Sequence, residues 1–243
     1  MKNYLVEVCC GSAEDAIQTA KGGADRVELC SNLFQGGLTP TLGTLHAIRE
    51  VADIKINAMI RPREGGFLYT EAELATAMHD AKLFVEAGID GLVCGFLHED
   101  GTIDVERTRA LVEVAGDLPV TFHRAIDVVP DWRHALDQLV EAGVKKVLTS
   151  GQNANVLLGL PTVKEMVDYA GERLVVMPGA GITPETADHV AEVTGCTEMH
   201  VYFTKHYTDF STRNNHSIFF GSALYPSETH YPVIDAEQIK KLK

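Results

Sequence analysis

The chain has 243 residues, and its 34 acidic and 21 basic side chains give a formal net charge of −13 at pH 7. This charge repels phosphate backbones and anionic lipid headgroups, which argues against nucleic-acid and membrane-surface partners. No apolar stretch approaches the ~20 residues of a membrane span, and an odd number of cysteines without a signal peptide indicates reduced thiols in the cytoplasm.

Eight short apolar runs follow one another along the chain, each succeeded by a loop and a segment of helical period. The predicted strands cover residues 5–9, 26–30, 54–60, 91–97, 120–124, 146–150, 174–177 and 198–203. No Gly-x-Gly-x-x-Gly motif follows the first strand, and the eight units are evenly spaced. The pattern therefore predicts a TIM (β/α)₈ barrel, a single domain over 1–243, in preference to an open doubly wound sheet.

The stretch 204–235 is much the longest predicted loop, and it is rich in aromatic residues. These are Tyr207, Phe210, Phe219, Phe220, Tyr225 and Tyr231. Because exposed aromatic surface of this size promotes association, we expect the segment to cover the barrel mouth or, preferably, to contact a second subunit. The protein is then a homo-oligomer, a dimer or a tetramer. A metal or pH role for His206, His216 and His230, in the same loop, stays open.

Alternation within the strands predicts which side chains face the barrel axis. The helix-facing side of each strand must be apolar, so Val6 and Val8 of the first strand face the helices. Applied to the other strands, the same phase directs polar side chains inward. The residues predicted to face the axis include Glu7, Cys9, Glu28, Cys30, Arg61 and His123.

The inward Glu7, Glu28, Arg61 and His123 must satisfy one another, because burying an unpaired charge costs several kcal/mol. They form either a structural ion-pair plug or an acid/base catalytic site. We favour the catalytic interpretation, because barrel active sites lie at the C-terminal ends of the strands. The sequence shows no evident nucleophile.

A second cluster follows the seventh predicted strand. Gly179 and Gly181 precede Thr183 and Pro184, a pattern typical of a helix N-cap with proline in the first turn. Backbone N–H groups there could cradle an anion, with Thr149 and Ser150 beside them, but the same residues also fit a tight turn with a helix cap. The sequence favours neither the anion site nor the capped turn over the other.

Several segments together resemble the CutC family, whose name refers to copper homeostasis. They are VEVC at 6–9, GGADRVELC at 22–30, GGLTP at 36–40, MIRPR at 59–63, TFHRAID at 121–127 and LTSG at 148–151. The resemblance runs from about 6 to 200 and implies a TIM barrel, a cytoplasmic location, oligomerisation and a link to copper. It also adds candidate ligand-binding residues, namely Arg63, Arg124, Asp127 and His200.

This sequence departs from the family pattern at two places near the barrel mouth. His200 is followed by a Val-Tyr-Phe run in place of a small residue and serine, and Gly66 replaces an aspartate. Any ligand of the family can therefore be altered in this chain.

Copper and catalysis are competing hypotheses for the mouth. Cys9 and Cys30 lie on adjacent strands, which are ~5 Å apart in a sheet, and two thiolates suit the soft Cu(I) ion. However, the chain has no Cys-x-x-Cys or methionine-rich segment, and copper does not explain the inward Glu, Arg and His residues. The alternative is a barrel enzyme that acts on a small anionic or hydroxylated substrate.

Overall fold

The computed structural model describes residues 4–215, 217–221 and 227–243. Its main sheet has eight parallel strands: β1 Leu5–Cys10, β2 Arg26–Leu29, β3 Lys55–Met59, β4 Gly91–Cys94, β5 Val120–Phe122, β6 Lys146–Thr149, β7 Val175–Pro178 and β8 Glu198–Val201. Neighbouring strands pair in the order β7-β6-β5-β4-β3-β2-β1-β8, and the two ends of this order lie next to each other. The sheet is thus a nearly closed barrel, which confirms the predicted TIM fold.

Helices alternate with the strands around the outside. They are α1 Ala13–Gly22, α2 Leu42–Arg49, α3 Glu71–Glu86, α4 Val105–Ala115, α5 Trp132–Glu141, α6 Val156–Ala170, α7 Ala187–Thr194 and α8 Ala236–Lys240. Local side chains fix where several begin: Thr70 and Glu73 form a reciprocal capping box at α3, and Ser12 caps α1. Among the described residues, no helix is both long and apolar enough to cross a membrane.

The strands divide their side chains between two environments. Val6, Val8, Val27 and Leu29 are fully buried against the helices and belong to the main hydrophobic core. The side chains between them point to the barrel axis, which is filled rather than hollow, as in other TIM barrels. Inward polar residues are consequently buried, and each needs a partner.

Charged side chains fill the axis near the start of the strands. Arg26 donates to Glu7 through Nε and to Glu198 through Nη2, each at 2.5 Å. Lys146 Nζ lies 2.6 Å from Glu198 as well. All four side chains are largely buried, so the ion pairs compensate charges that would otherwise be desolvated without a partner.

Strand and helix ends differ from the predicted ones by a few residues. Strand β4 ends at Cys94 rather than at residue 97, because the chain turns there and Leu97 forms an isolated bridge with Ile103. Helix α7 begins at Ala187, so Thr183 is not its N-cap as predicted: the Thr183 N–H bonds to Thr186 Oγ1 at 2.9 Å within a separate turn.

The predicted loop 204–235 begins and ends as a β-hairpin. Strand β9 (Thr204–Thr208) pairs antiparallel with β10 (His230–Ile234), and the rings of Tyr207 and Tyr231 lie 5.5 Å apart. The backbone of Ile234 donates to Asp15 on α1 at 2.9 Å, which ties the hairpin to the barrel.

The other aromatic side chains of this segment do not share one environment. Phe210 and Phe220 are 63% and 76% exposed in a single copy of the chain. Tyr225 and His216 lie outside the described residues. Neither His206 nor His230 belongs to the groups of potential metal ligands found among the described residues. The packing role predicted for the segment stays a prediction.

Removing the cation that joins Glu7 to Glu198 should destabilise the barrel strongly. Arg26→Met leaves two buried carboxylates without that partner, so we expect the free energy of unfolding to fall by about 3–5 kcal/mol. Lys164→Met is the matched control, because the Lys164–Asp168 pair is half exposed and contributes at most about 0.5 kcal/mol. Urea unfolding followed by circular dichroism measures both values. Equal small losses would contradict the structural role of Arg26.

Candidate functional site

His200, on β8, is held by a carboxylate inside the barrel. Glu7 lies opposite His200 in the pairing of β1 with β8, and His200 Nδ1 lies 2.8 Å from Glu7 Oε1. The other carboxylate oxygen, Glu7 Oε2, accepts a hydrogen bond from Asn57 at 3.3 Å and a second one from Arg26. Glu7 therefore sits beneath the mouth, in contact with two cationic side chains.

The charges of this group stabilise one another. Burial alone would raise the pKa of Glu7, but the hydrogen bond from His200 and the charge of Arg26 lower it from 4.5 to about 2. Burial would likewise lower the pKa of His200, but Glu28, Cys9 and Glu7 raise it well above 6.5. At neutral pH, Glu7 is ionised and His200 carries a positive charge.

Two cysteines and Glu28 meet on the other side of His200. The Sγ atoms of Cys9 and Cys30 and a carboxylate oxygen of Glu28 all lie within 4.8 Å of one another. Cys30 Sγ is 3.7 Å from Glu28 Oε2, and His200 Nε2 is 3.8 Å from the same oxygen. Burial, with the negative charges of Cys9 and Glu7, raises the pKa of Glu28 to about 8.

Cys9, predicted from the sequence as a metal ligand but not as a nucleophile, carries a reactive thiol. The hydrogen bond from Cys30 and the contact with His200 outweigh burial and lower the pKa of Cys9 to about 5. The contact with Cys9 and burial raise the pKa of Cys30 well above 9. Cys9 is therefore a thiolate beside an imidazolium, an arrangement that activates sulfur as a nucleophile and as a metal ligand.

Arg61 and His123 line the same mouth. The guanidinium of Arg61 donates to the carbonyls of Gln35, Gly37 and Gly65 at 2.7–3.0 Å. His123 is buried, and burial, with the nearby charge of Arg61, lowers its pKa to about 3. His123 is consequently a neutral imidazole at physiological pH.

The remaining polar candidates near β5 and β6 are organised by Asp127. Its carboxylate accepts from Arg124 Nε at 2.8 Å, from Thr149 Oγ1 at 2.6 Å and from the Ser150 N–H at 3.0 Å. Arg124 also lines the mouth, whereas Asp127, Thr149 and Ser150 fix its position from behind. Arg63 binds Glu73 and the carbonyls of its own loop, away from the residues that line the mouth.

The two candidate glycines are required by close packing. A Cβ on Gly179 would lie 2.7 Å from Leu148 Cδ1 and 3.2 Å from His200 Cβ. Gly181 has a φ of 88°, and a Cβ there would lie 2.1 Å from Asn155 Nδ2. Gly181 also lines the outer part of the mouth, so its predicted contact with an anion stays a prediction.

The mouth is a cleft of two adjoining cavities. An inner cavity of about 280 Å³ is lined by Glu28, Arg61 and His123, and an outer one of about 460 Å³ is lined by Gly181 and Tyr202. Both are lined by Cys9, Gly36, Arg124, Leu148 and His200. Glu7 is fully buried below them, so the structure brings the other three predicted catalytic residues to one cavity and places Glu7 under it.

Three contributors to the site were not among the candidates from the sequence. Arg26 lies two residues before Glu28 on β2, so it points to the same side of the strand. The alternation of side chains is therefore a signal that could have identified Arg26. Gly95 leaves room for an imidazole, because a Cβ there would lie 2.1 Å from His123 Cε1. Tyr202 lies where the family pattern is broken, and it lines the outer cavity of the cleft.

Residues 4–205 match the model of the CutC family, which is most of the chain. The chain belongs to the CutC family. A CutC protein of Treponema denticola is 45% identical over 242 residues, covering 100% of this chain and 98% of the relative. The mouse relative, named copper homeostasis protein cutC homolog, is 42% identical over 98% of this chain and 88% of its own length.

Solved structures support the same assignment. The crystal structure of CutC from Streptococcus agalactiae is 34% identical, with a TM-score of 0.76 over 81% of this chain and 97% of that one. An aldolase, QR15, is 14% identical, with a TM-score of 0.61 over 82% of this chain and 89% of its own. At that identity, the aldolase shows only that the two proteins share a barrel.

The thiolate state of Cys9 in this CutC protein can be tested by alkylation. With a pKa of about 5, Cys9 should react with iodoacetamide at nearly the same rate at pH 6 and pH 8. His200→Gln removes the imidazolium and raises the pKa, so the rate at pH 6 should fall at least tenfold. The control is His189→Gln, at an exposed position of α7, which should leave the alkylation rate of Cys9 unchanged. Mass spectrometry of the Cys9 peptide gives the rates, and a tenfold rise per pH unit in the wild type would contradict the assignment.

Proposed function

We propose that this CutC protein binds Cu(I) through Cys9 and Cys30 and acts in copper homeostasis. The observation that carries the proposal is the cluster of two thiol sulfurs and the Glu28 carboxylate, all within 4.8 Å at the mouth of the barrel. The name of the mouse relative points in the same direction.

The chemistry of the donors fits Cu(I) better than a harder ion. Soft thiolates select Cu(I), whereas magnesium and calcium prefer sets of oxygen ligands. A second group, Glu7, Glu28 and His200, also has its ligand atoms within 4.8 Å. However, Glu7 is already shared by Arg26 and His200, so a metal there would have to displace existing ion pairs.

The cleft provides the route by which copper would enter. Cys9 lines both cavities and is partly exposed, while Cys30 is buried behind it. Because Cys9 is already a thiolate, an incoming Cu(I) ion would meet a charged sulfur first and then recruit Cys30. In this proposal copper is the cargo of the protein.

The cellular setting and the partners belong to the same proposal. All five cysteines are free, as a reducing cytoplasm would keep them. The exposed aromatic rings of the hairpin favour a homo-oligomer, in which a second copy would cover them. The net charge of −13 favours no nucleic-acid partner.

The catalytic alternative remains a second candidate because of one observation. Arg61 and His123 line the inner cavity together with Cys9, and Cu(I) binding by two sulfurs gives them no role. Their position favours a small-molecule ligand, whether or not a reaction follows. The acid/base roles predicted for Glu7, Glu28, Arg61 and His123 stay predictions.

Copper binding can be tested with single cysteine variants. The anaerobic wild type should retain one equivalent of Cu(I) against a competing chelator, and Cys9→Ser and Cys30→Ser should each lose it, because one thiolate cannot replace two. Cys196→Ser is the control, since Cys196 is a buried thiol that lines neither cavity of the cleft. Unchanged affinity in Cys30→Ser would exclude the proposed ligand pair.

A further inference from the structure

Arg61 is a buried cation without a carboxylate partner. Only 6% of the residue is exposed, and among the described residues no acidic group lies within ion-pair distance of it. The other cations at the mouth are different: Arg124 pairs with Asp127, and His200 pairs with Glu7. Carbonyl dipoles solvate Arg61 but leave its full charge in place, and a buried charge is stabilised further by an anion.

Arg61 also has an unused hydrogen-bond donor. Its Nη1 and Nη2 atoms donate to backbone carbonyls, whereas Nε is buried and makes no hydrogen bond among the described residues. The Tyr69 hydroxyl, which is also buried and unsatisfied, is a neutral neighbour of Arg61 and does not compensate its charge. The face of the guanidinium lies over the Phe67 ring, 5.4 Å from its centroid. The residue is thus held rigidly beside the inner cavity while one N–H remains unsatisfied.

His123 supplies a second unsatisfied donor at the inner cavity. Its Nδ1 accepts the Ala125 N–H at 3.1 Å, so the proton of the neutral ring is on Nε2. Nε2 is buried and, within the described part of the chain, has no acceptor. The ring is fixed against Phe67, with centroids 4.8 Å apart, and the absence of a side chain at Gly95 makes room for it.

We propose that the inner cavity is a binding site for a small monocarboxylate that carries a hydroxyl or carbonyl oxygen next to the carboxyl group. The carboxylate pairs with Arg61, and the adjacent oxygen accepts a hydrogen bond from His123. This site uses residues other than the thiol pair, and it does not depend on copper.

The size of the cavity and its charge select this class of ligand. The inner cavity has a volume of about 280 Å³, at the lower end of ligand pockets, which suits a small molecule beside Arg61 and His123. Arg61 provides one unpaired positive charge, so it balances one negative charge. A phosphate dianion would bring a second negative charge close to the Cys9 thiolate, which lines the same cavity.

Glycolate and acetate are matched probes, because they differ by the hydroxyl group alone. Isothermal titration of the metal-free wild type should give a dissociation constant five- to tenfold lower for glycolate than for acetate. His123→Phe keeps a ring against Phe67 but removes the donor, so the two acids should then bind equally. Arg61→Gln should bind neither acid, because it lacks the cation. Arg133→Gln, a change at an exposed position on α5, should bind both acids as the wild type does.

A measurement on the wild type avoids any effect of the variants on folding. In protein labelled with ¹⁵N on histidine, glycolate should shift the Nε2 resonance of His123. The proposal is overturned if glycolate leaves that resonance unchanged, or if it binds no better than acetate. Inorganic phosphate that binds as well as glycolate would overturn the carboxylate assignment and favour a phosphate group instead.

Discussion

The carboxylate of Glu7 is the group on which the site depends. It is fully buried on the barrel axis, and it contacts Arg26 below and His200 beside it. A buried carboxylate persists only when cations and donors compensate it, so its partners are fixed in turn. The ion pair orients His200 through Nδ1 and directs Nε2 towards Glu28 and Cys9. The thiolate at the mouth is therefore supported by an ion pair one layer deeper in the barrel.

This arrangement places two chemically different groups of side chains at the mouth. Cys9, Cys30 and Glu28 offer two sulfurs and a carboxyl group, and of these only Cys9 is ionised at neutral pH. His123 and Arg61 offer a neutral donor and a cation. Residues of both groups line the inner cavity, so a metal held by the first and an organic anion held by the second would lie close together. A carboxylate ligand would then influence how copper enters or leaves, although neither group requires the other.

Much of this could be predicted from the sequence, because side-chain direction in a strand has a period of two residues. That rule directs Glu28 and Cys30 to the axis once Val27 and Leu29 are assigned to the helices. It cannot give the contact between Glu7 and His200, since these residues are 193 positions apart and meet only when β1 pairs with β8. The low pKa of Cys9 depends first on the hydrogen bond from Cys30 and then on His200, which that contact holds in place, so alternation alone does not identify a nucleophile. The same rule does not predict the hairpin formed by β9 and β10, because its strands are mostly exposed and lack an apolar alternation.

X-ray absorption at the copper K-edge tests the central claim most directly, because it reports the ligand atoms themselves. In protein loaded with one equivalent of Cu(I), the account predicts a reduced copper ion with two sulfur neighbours and no more than one light-atom neighbour, from Glu28 or the cleft. A copper ion coordinated by nitrogen and oxygen alone would contradict it, and would move the metal to the Glu7 and His200 side of the mouth.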